Sequence, residues 1–232
     1  MLAMVLLNLF LGTSDYGQLV YLITVSNFYL IFVVFGVDLL GSRLIYESED
    51  TVRVFYELVV FKAINFLVGL FPFILMSFLL DMLWDMLLFI PLILSEMLGI
   101  SVYYLGLKEK RGLLNYRIKS KSLGLFLLFI FLLLDCGIYS YPFALFGVMI
   151  FDLIIVMRIF RRLRRWTFNY SLYIHYLRMS WPLAGSSILV TAVAGGGKLI
   201  IGNIFNNYTL GIYDIVDKVL RAFKLPQVVY NK

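Results

Sequence analysis

Residues 19–37 run for nineteen positions without a charged side chain. A helix that crosses a bilayer needs about 20 predominantly apolar residues, and stretches of that kind recur along the chain. Residues 55–80 are long enough despite Glu57 and Lys62, and 86–107 are interrupted only by Glu96. Residues 118–134 are shorter, but Lys119 and Lys121 can snorkel to the interface. Residues 141–157 contain Asp152, and 173–205 contain Pro182 and the run Gly195-Gly196-Gly197. Before these six stretches lie residues 1–11, about 16 Å of helix at most, and after them comes the charged, amphipathic segment 208–225. Apolar residues make up 62% of the 232 and the mean hydropathy is +0.93. A water-soluble chain of this length has no interior large enough for them, so lipid is the solvent. The expectation is an all-α, polytopic transmembrane helix bundle of about seven to eight spans, six of them full.

Loop charge gives the expected orientation. Loops 12–17, 81–85, 135–141 and 206–209 hold no Lys or Arg. Loop 41–54 holds Arg43 and Arg53, loop 108–121 six basic residues, and loop 158–165 five arginines. Basic and non-basic loops alternate throughout, which predicts that the basic ones face the cytoplasm. The net charge of +6 therefore reads as a topology signal, and no nucleic-acid partner is expected. Arg161, Arg162, Arg164 and Arg165 fit that signal, or a contact with acidic lipid head groups. Tyr103, Tyr104, Trp166 and Trp181 fit an interfacial aromatic belt.

Chemistry inside the apolar stretches narrows the functional classes. A single cysteine, Cys136, excludes an intrachain disulfide, and a single histidine, His175, sits at the start of a span. No metal spacing, HExxH, GxSxG or Walker loop is present, so neither a cofactor nor an enzyme is expected. Gly195-Gly196-Gly197-Lys198 lacks the context of a phosphate loop and reads as a flexible break in a helix. Intramembrane charge is more informative, because it is costly in lipid and tends to face a cavity or a partner. Glu96 is deep in its span, in a polar cavity, an ion pair or a protonated pocket. Lys198, about 12 Å below the far end of its span, either snorkels or lines a pathway. Lys62 and Asp152 lie at equal depth, which permits an ion pair, with snorkelling of Lys62 as the alternative. Asp214 with Lys218, and Asp217 with Arg221, have the i,i+4 spacing of local helix pairs.

Residues 11–46 carry LG-x-x-x-YG at Leu11, Gly12, Tyr16 and Gly17, then FG-x-x-x-x-G-x-R at Phe35, Gly36, Gly41 and Arg43. The segment SVYYLGLKEKRG follows at 101–112, and SWP, K-x-x-x-G (Lys198, Gly202) and LGIY occupy 180–213. In this order the motifs resemble the O-antigen flippases (Wzx-type), bacterial polysaccharide transporters of the MOP exporter superfamily. Members commonly have an acid where this chain has Gly197. They are built as two lobes with roughly twice as many spans. The resemblance thus implies an N-terminal lobe over residues 1–172 (helices 1–6, the first one clipped) and the first two helices of an incomplete second lobe over 173–232.

The resemblance implies translocation of a polyprenyl-diphosphate-linked oligosaccharide across the bacterial cytoplasmic (inner) membrane, for O-antigen or other lipopolysaccharide synthesis. Lys198 and Arg43 would meet the diphosphate, with Glu96 and Asp214 also on the pathway. Other polysaccharide assembly proteins, or a missing second lobe, are the implied partners. Two rivals stand beside this reading. One is a cation-coupled small-molecule exporter of the related drug-extrusion branch, with Glu96 or Asp214 in a relay. The other is an inactive, truncated membrane protein.

Overall fold

The computed structural model describes residues 2–79, 81–161 and 170–230, so Arg162, Arg164, Arg165 and Trp166 lie outside the described residues. The chain is 90% helical, and no strand occurs among the described residues. Helix α1 is Leu2–Leu11, α2 Thr13–Val34, α3 Val37–Glu47 and α4 Thr51–Leu79. A broken span follows as α5 (Leu83–Leu87), α6 (Ile90–Leu98) and α7 (Ile100–Gly106). Then come α8 (Lys110–Leu133), α9 (Ser140–Phe160), α10 (Tyr170–Ile204) and α11 (Asn207–Tyr230).

Among the described residues five segments are long and apolar enough to cross a membrane, rather than the six expected: Thr13–Val34, Thr51–Leu79, Leu83–Gly106, Gly137–Phe160 and Tyr170–Ile204. The difference is α8, which is a continuous helix of 24 residues. Its first half carries five of the six basic residues of the 108–121 loop, so its apolar part starts only at Ser122. The expected break at Gly195-Gly196-Gly197 is also absent, because α10 is helical from end to end over 35 residues. In lipid an unpaired backbone group has no water to bond, so intrahelical hydrogen bonds outweigh the low helix propensity of glycine.

Packing divides the interior into two apolar clusters. One gathers Tyr16, Leu19, Leu22, Phe73, Phe89, Ile93, Leu128, Ala144 and Leu210. The second gathers Val37, Ile45, Phe55, Phe61, Leu98, Val102, Tyr103, Val156 and Tyr176. Between them, in chain order along α4, α6 and α9, fall Lys62 and Asn65, Ser95 and Glu96, and Asp152. Polar groups thus lie in a layer between two apolar floors. The outward faces are apolar, with Val193 86%, Phe71 74% and Leu189 69% exposed, as expected of lipid-facing or partner-facing surface.

At the junction of α2 and α3, Phe35 (φ 46°) and Gly36 (φ 71°) are both left-handed. Gly36 serves two purposes there, since a Cβ on it would also stand 2.7 Å from the Ala184 nitrogen of α10. At the other end of α2 the approach of α11 is closer. A Cβ on Gly17 would lie 1.7 Å from the Asn207 carbonyl oxygen, and one on Gly211 would lie 2.3 Å from that of Thr13.

The loops segregate by charge. Lys108 of one basic loop lies 3.6 Å over the ring of Tyr46 in another. At the opposite end the Tyr139 hydroxyl donates to Asp85 at 3.5 Å, joining two loops without basic residues. With Cys136 replaced by Ser, a cysteine at Asp85 should react with a membrane-impermeant thiol reagent added to intact cells, and one at Lys110 should not. The opposite pattern would invert the orientation.

Candidate functional site

Helices α2, α10 and α11 meet around one carboxylate. Asp214, on the second turn of α11, is 1% exposed. Its Oδ1 accepts from the Lys198 Nζ of α10 at 2.5 Å. Its Oδ2 accepts from the Tyr16 hydroxyl of α2 at 2.5 Å and faces the Lys218 Nζ at 2.6 Å. Lys218 also donates to the Tyr16 oxygen at 2.7 Å, which closes the network. One turn on, Asp217 lies 3.6 Å from Lys198 and 2.8 Å from Arg221.

Each member is delivered by local structure. Tyr16 follows from the tight start of α2 after Gly12 (φ 77°). Lys198 lies six residues before the end of α10, and the short turn to Asn207 brings Asp214 back against it. The i,i+4 pairs Asp214–Lys218 and Asp217–Arg221 both form, but the first is only part of a three-helix network. Tyr16 and Lys218 were not singled out as site residues. Tyr16 did lie in the LG-x-x-x-YG motif, the one signal that pointed to it.

Three cations and two acids share this cluster, which leaves it a positive charge in excess. A buried carboxylate is tolerable when its lone pairs are filled and its charge is matched, as here. The cations remain partly accessible, with the Lys198 side chain 15% and that of Lys218 26% exposed. The arrangement can exchange one anionic partner for another without stranding Asp214.

A cavity of about 390 Å³ lies along the same face of α10, between it and α2. Ser187, Thr191 and Ala194 line it from α10, and Asn27 from α2. The spacing from Ser187 through Thr191 and Ala194 to Lys198 is four, three and four residues, a single helix face. Asp38 and Glu96 line the far end of the cavity. Glu96 is exposed to that space.

The ion pair that their positions permit between Lys62 and Asp152 does not form. Lys62, 2% exposed, makes an ion pair with Asp38 of α3. Asp152 accepts hydrogen bonds from Ser95 and, at 3.0 Å, from the Tyr116 hydroxyl. Position along a helix says nothing about the angle at which a side chain leaves it. Arg43 also stands apart from the cluster. Among the described residues it pairs with Glu47, at 2.7 Å, with both side chains more than half exposed.

Two stability experiments follow. Lys198→Met alone leaves Asp214 with Lys218 and Tyr16, whereas Lys198→Met with Lys218→Met strands a buried anion. The double loss should exceed the sum of the single losses by about 1–3 kcal/mol in detergent unfolding, and Asp214→Asn should relieve it. In a second double-mutant cycle, Lys62→Met and Asp152→Asn should be additive within about 0.5 kcal/mol, while Lys62→Met and Asp38→Asn should couple.

A family model described as polysaccharide biosynthesis protein matches residues 1–231. No curated protein and no solved structure matches the chain. With the match running across nearly its whole length, this multi-pass helical membrane protein belongs to the polysaccharide biosynthesis protein family of the MOP exporter superfamily, and so to polysaccharide export in general.

Proposed function

We propose that the chain carries a polyprenyl-diphosphate-linked oligosaccharide from the cytoplasmic to the outer leaflet of the bacterial inner membrane, as an O-antigen-type flippase. Transport without bond chemistry is the reading, so the protein is not an enzyme. The observation that carries it is the Lys198–Asp214–Lys218 cluster, with Lys198 one helical turn beyond Ala194, a lining residue of the cavity between α2 and α10. A diphosphate needs cations in a low-dielectric surrounding, where charge pairs are stronger than in water. Lys198 is already paired to an acid, so a diphosphate would replace one anion with another and avoid the cost of a bare ammonium. Polar groups at Asn27, Ser187 and Thr191 along the cavity suit sugar hydroxyls. Alternation between the two sides would come from α10 and α11 moving relative to α2, with a second lobe or other assembly proteins as partners.

A second reading, cation-coupled export of a small molecule, is favoured by one observation. Asp38 and Glu96 both line the cavity, and Lys62 pairs with Asp38 and not with Glu96. Both readings place transport in the same cavity, and they differ in what Lys198 contacts.

Lys198→Ala, in a strain that depends on this gene for surface polysaccharide, should abolish the polysaccharide while the protein still inserts. Lys198→Arg should retain part of the activity, because the charge persists while its geometry changes. Full complementation by Lys198→Ala would remove the residue from the pathway and favour the second reading.

A further inference from the structure

A second cavity, of about 550 Å³, lies among α7, α8 and α9. None of its lining residues comes from α2, α10 or α11, so it is separate from the cluster around Asp214. We infer that this cavity binds the phosphodiester head group of an anionic phospholipid in the leaflet on the side of the basic loops.

The walls are built rather than incidental. Tyr104 and Tyr116 stack with ring centroids 6.2 Å apart. Tyr116 is held in place by its hydrogen bond to Asp152, a residue 0% exposed. Gly112 lets α8 come close, since a Cβ there would sit 2.8 Å from the Tyr104 ring. The resulting aromatic wall is fixed in orientation, and its hydroxyl is already committed elsewhere.

Charge identifies the ligand. Lys119 of α8 and Arg158 of α9 both line the cavity, both are exposed, and neither makes an ion pair among the described residues. Glu109 is the one acid among the lining residues. Two cations against one acid favour an anion, and ammonium and guanidinium groups together suit phosphate oxygens.

Position selects a lipid over a soluble phosphate. Helices α8 and α9 are antiparallel neighbours: Gly147 packs against Leu127, and Gly124 against Val148. That register brings Lys119 and Arg158 to the same end of the pair. Both stand at the charged border of an apolar run: Lys119 lies two residues before Lys121, after which the remaining twelve residues of α8 are uncharged, and Arg158 ends the run of α9. Both cations therefore stand at the level where the helices leave the hydrocarbon, the level of lipid phosphates. Phe151, Ile155 and Ile159 line the α9 side, and Ile154 and Ile150 stay exposed beside them at 45% and 44%, a surface for acyl chains.

The test uses the full chain in a neutral detergent, titrated with phosphatidylglycerol, phosphatidylcholine or inorganic phosphate while the unfolding temperature is followed. Phosphatidylglycerol should raise it, and the other two should not. Lys119→Gln with Arg158→Gln should weaken the apparent affinity for phosphatidylglycerol at least about tenfold, the equivalent of one lost charge-assisted hydrogen bond or more. Lys110→Gln with Arg111→Gln, which removes two neighbouring charges outside the cavity, should leave it unchanged. Native mass spectrometry of the wild-type chain gives an independent reading, with phosphatidylglycerol retained in preference to phosphatidylcholine. An equal effect of the two double substitutions would reduce the binding to general surface charge and overturn the site. An equal response to inorganic phosphate, or to phosphatidylcholine, would overturn the anionic-lipid assignment. If the double variant does not fold, the two single substitutions are read instead, and an unchanged affinity in both overturns the site. Loss of polysaccharide transport in Lys198→Ala bears on none of these outcomes.

Discussion

The carboxylate of Asp214 has almost no access to water, and in a surrounding of lipid and apolar side chains a bare charge would be expensive. Two ammonium groups and a phenol hydroxyl satisfy it, and they come from three helices. Tyr16 and Asp214 are 198 positions apart, so this one anion joins the start of the chain to its last helix. The tie requires α2 and α11 to touch at the backbone, which is where Gly17 and Gly211 stand. Apolar packing alone would leave the relative rotation of these helices loosely set, because lipid competes on equal terms for apolar surface. The charge network supplies the direction that packing lacks.

A similar logic governs the middle of the bundle. Polar groups of α4, α6 and α9 lie between two apolar clusters, and Lys62, Asn65, Ser95 and Asp152 each find a partner on another element. Asn65 donates to the Val33 carbonyl at 3.3 Å and accepts from Tyr173 at 3.0 Å, while Asp152 is held by Ser95 and Tyr116. Such a layer costs more to bury than leucine would, so its partners are part of what sets the packing of these helices. The cavity between α2 and α10 runs from an acidic end, at Asp38 and Glu96, towards the cationic cluster one turn beyond Ala194. That gradient of charge is a property of the assembled helices and of no single one.

Much of this was legible in the linear sequence. Apolar stretches of bilayer length located the spans, because the hydrocarbon thickness sets a length that composition must meet. Motif order located the family. Alternation of basic loops anticipated which loops gather at each end, since consecutive spanning helices must run in opposite directions. The α8 segment was the weakest case, because a helix that begins among basic residues shows only half of the apolar signature.

What the sequence alone determined was therefore axial: which residues are helical, where each charge falls along its helix, and which of the described loops gather at one end. Glu96, Lys62, Asp152 and Lys198 stand out in the sequence as charges within apolar stretches. Only the tertiary structure decided who faces whom. It turned Lys62 to Asp38 and away from Asp152, left Arg43 outside with Glu47, and gathered Tyr16, Lys198 and Lys218 on Asp214. The physical reason is that depth follows from counting residues at about 1.5 Å each, whereas the direction a side chain points depends on helix rotation. That rotation is fixed by contacts between residues far apart in the chain.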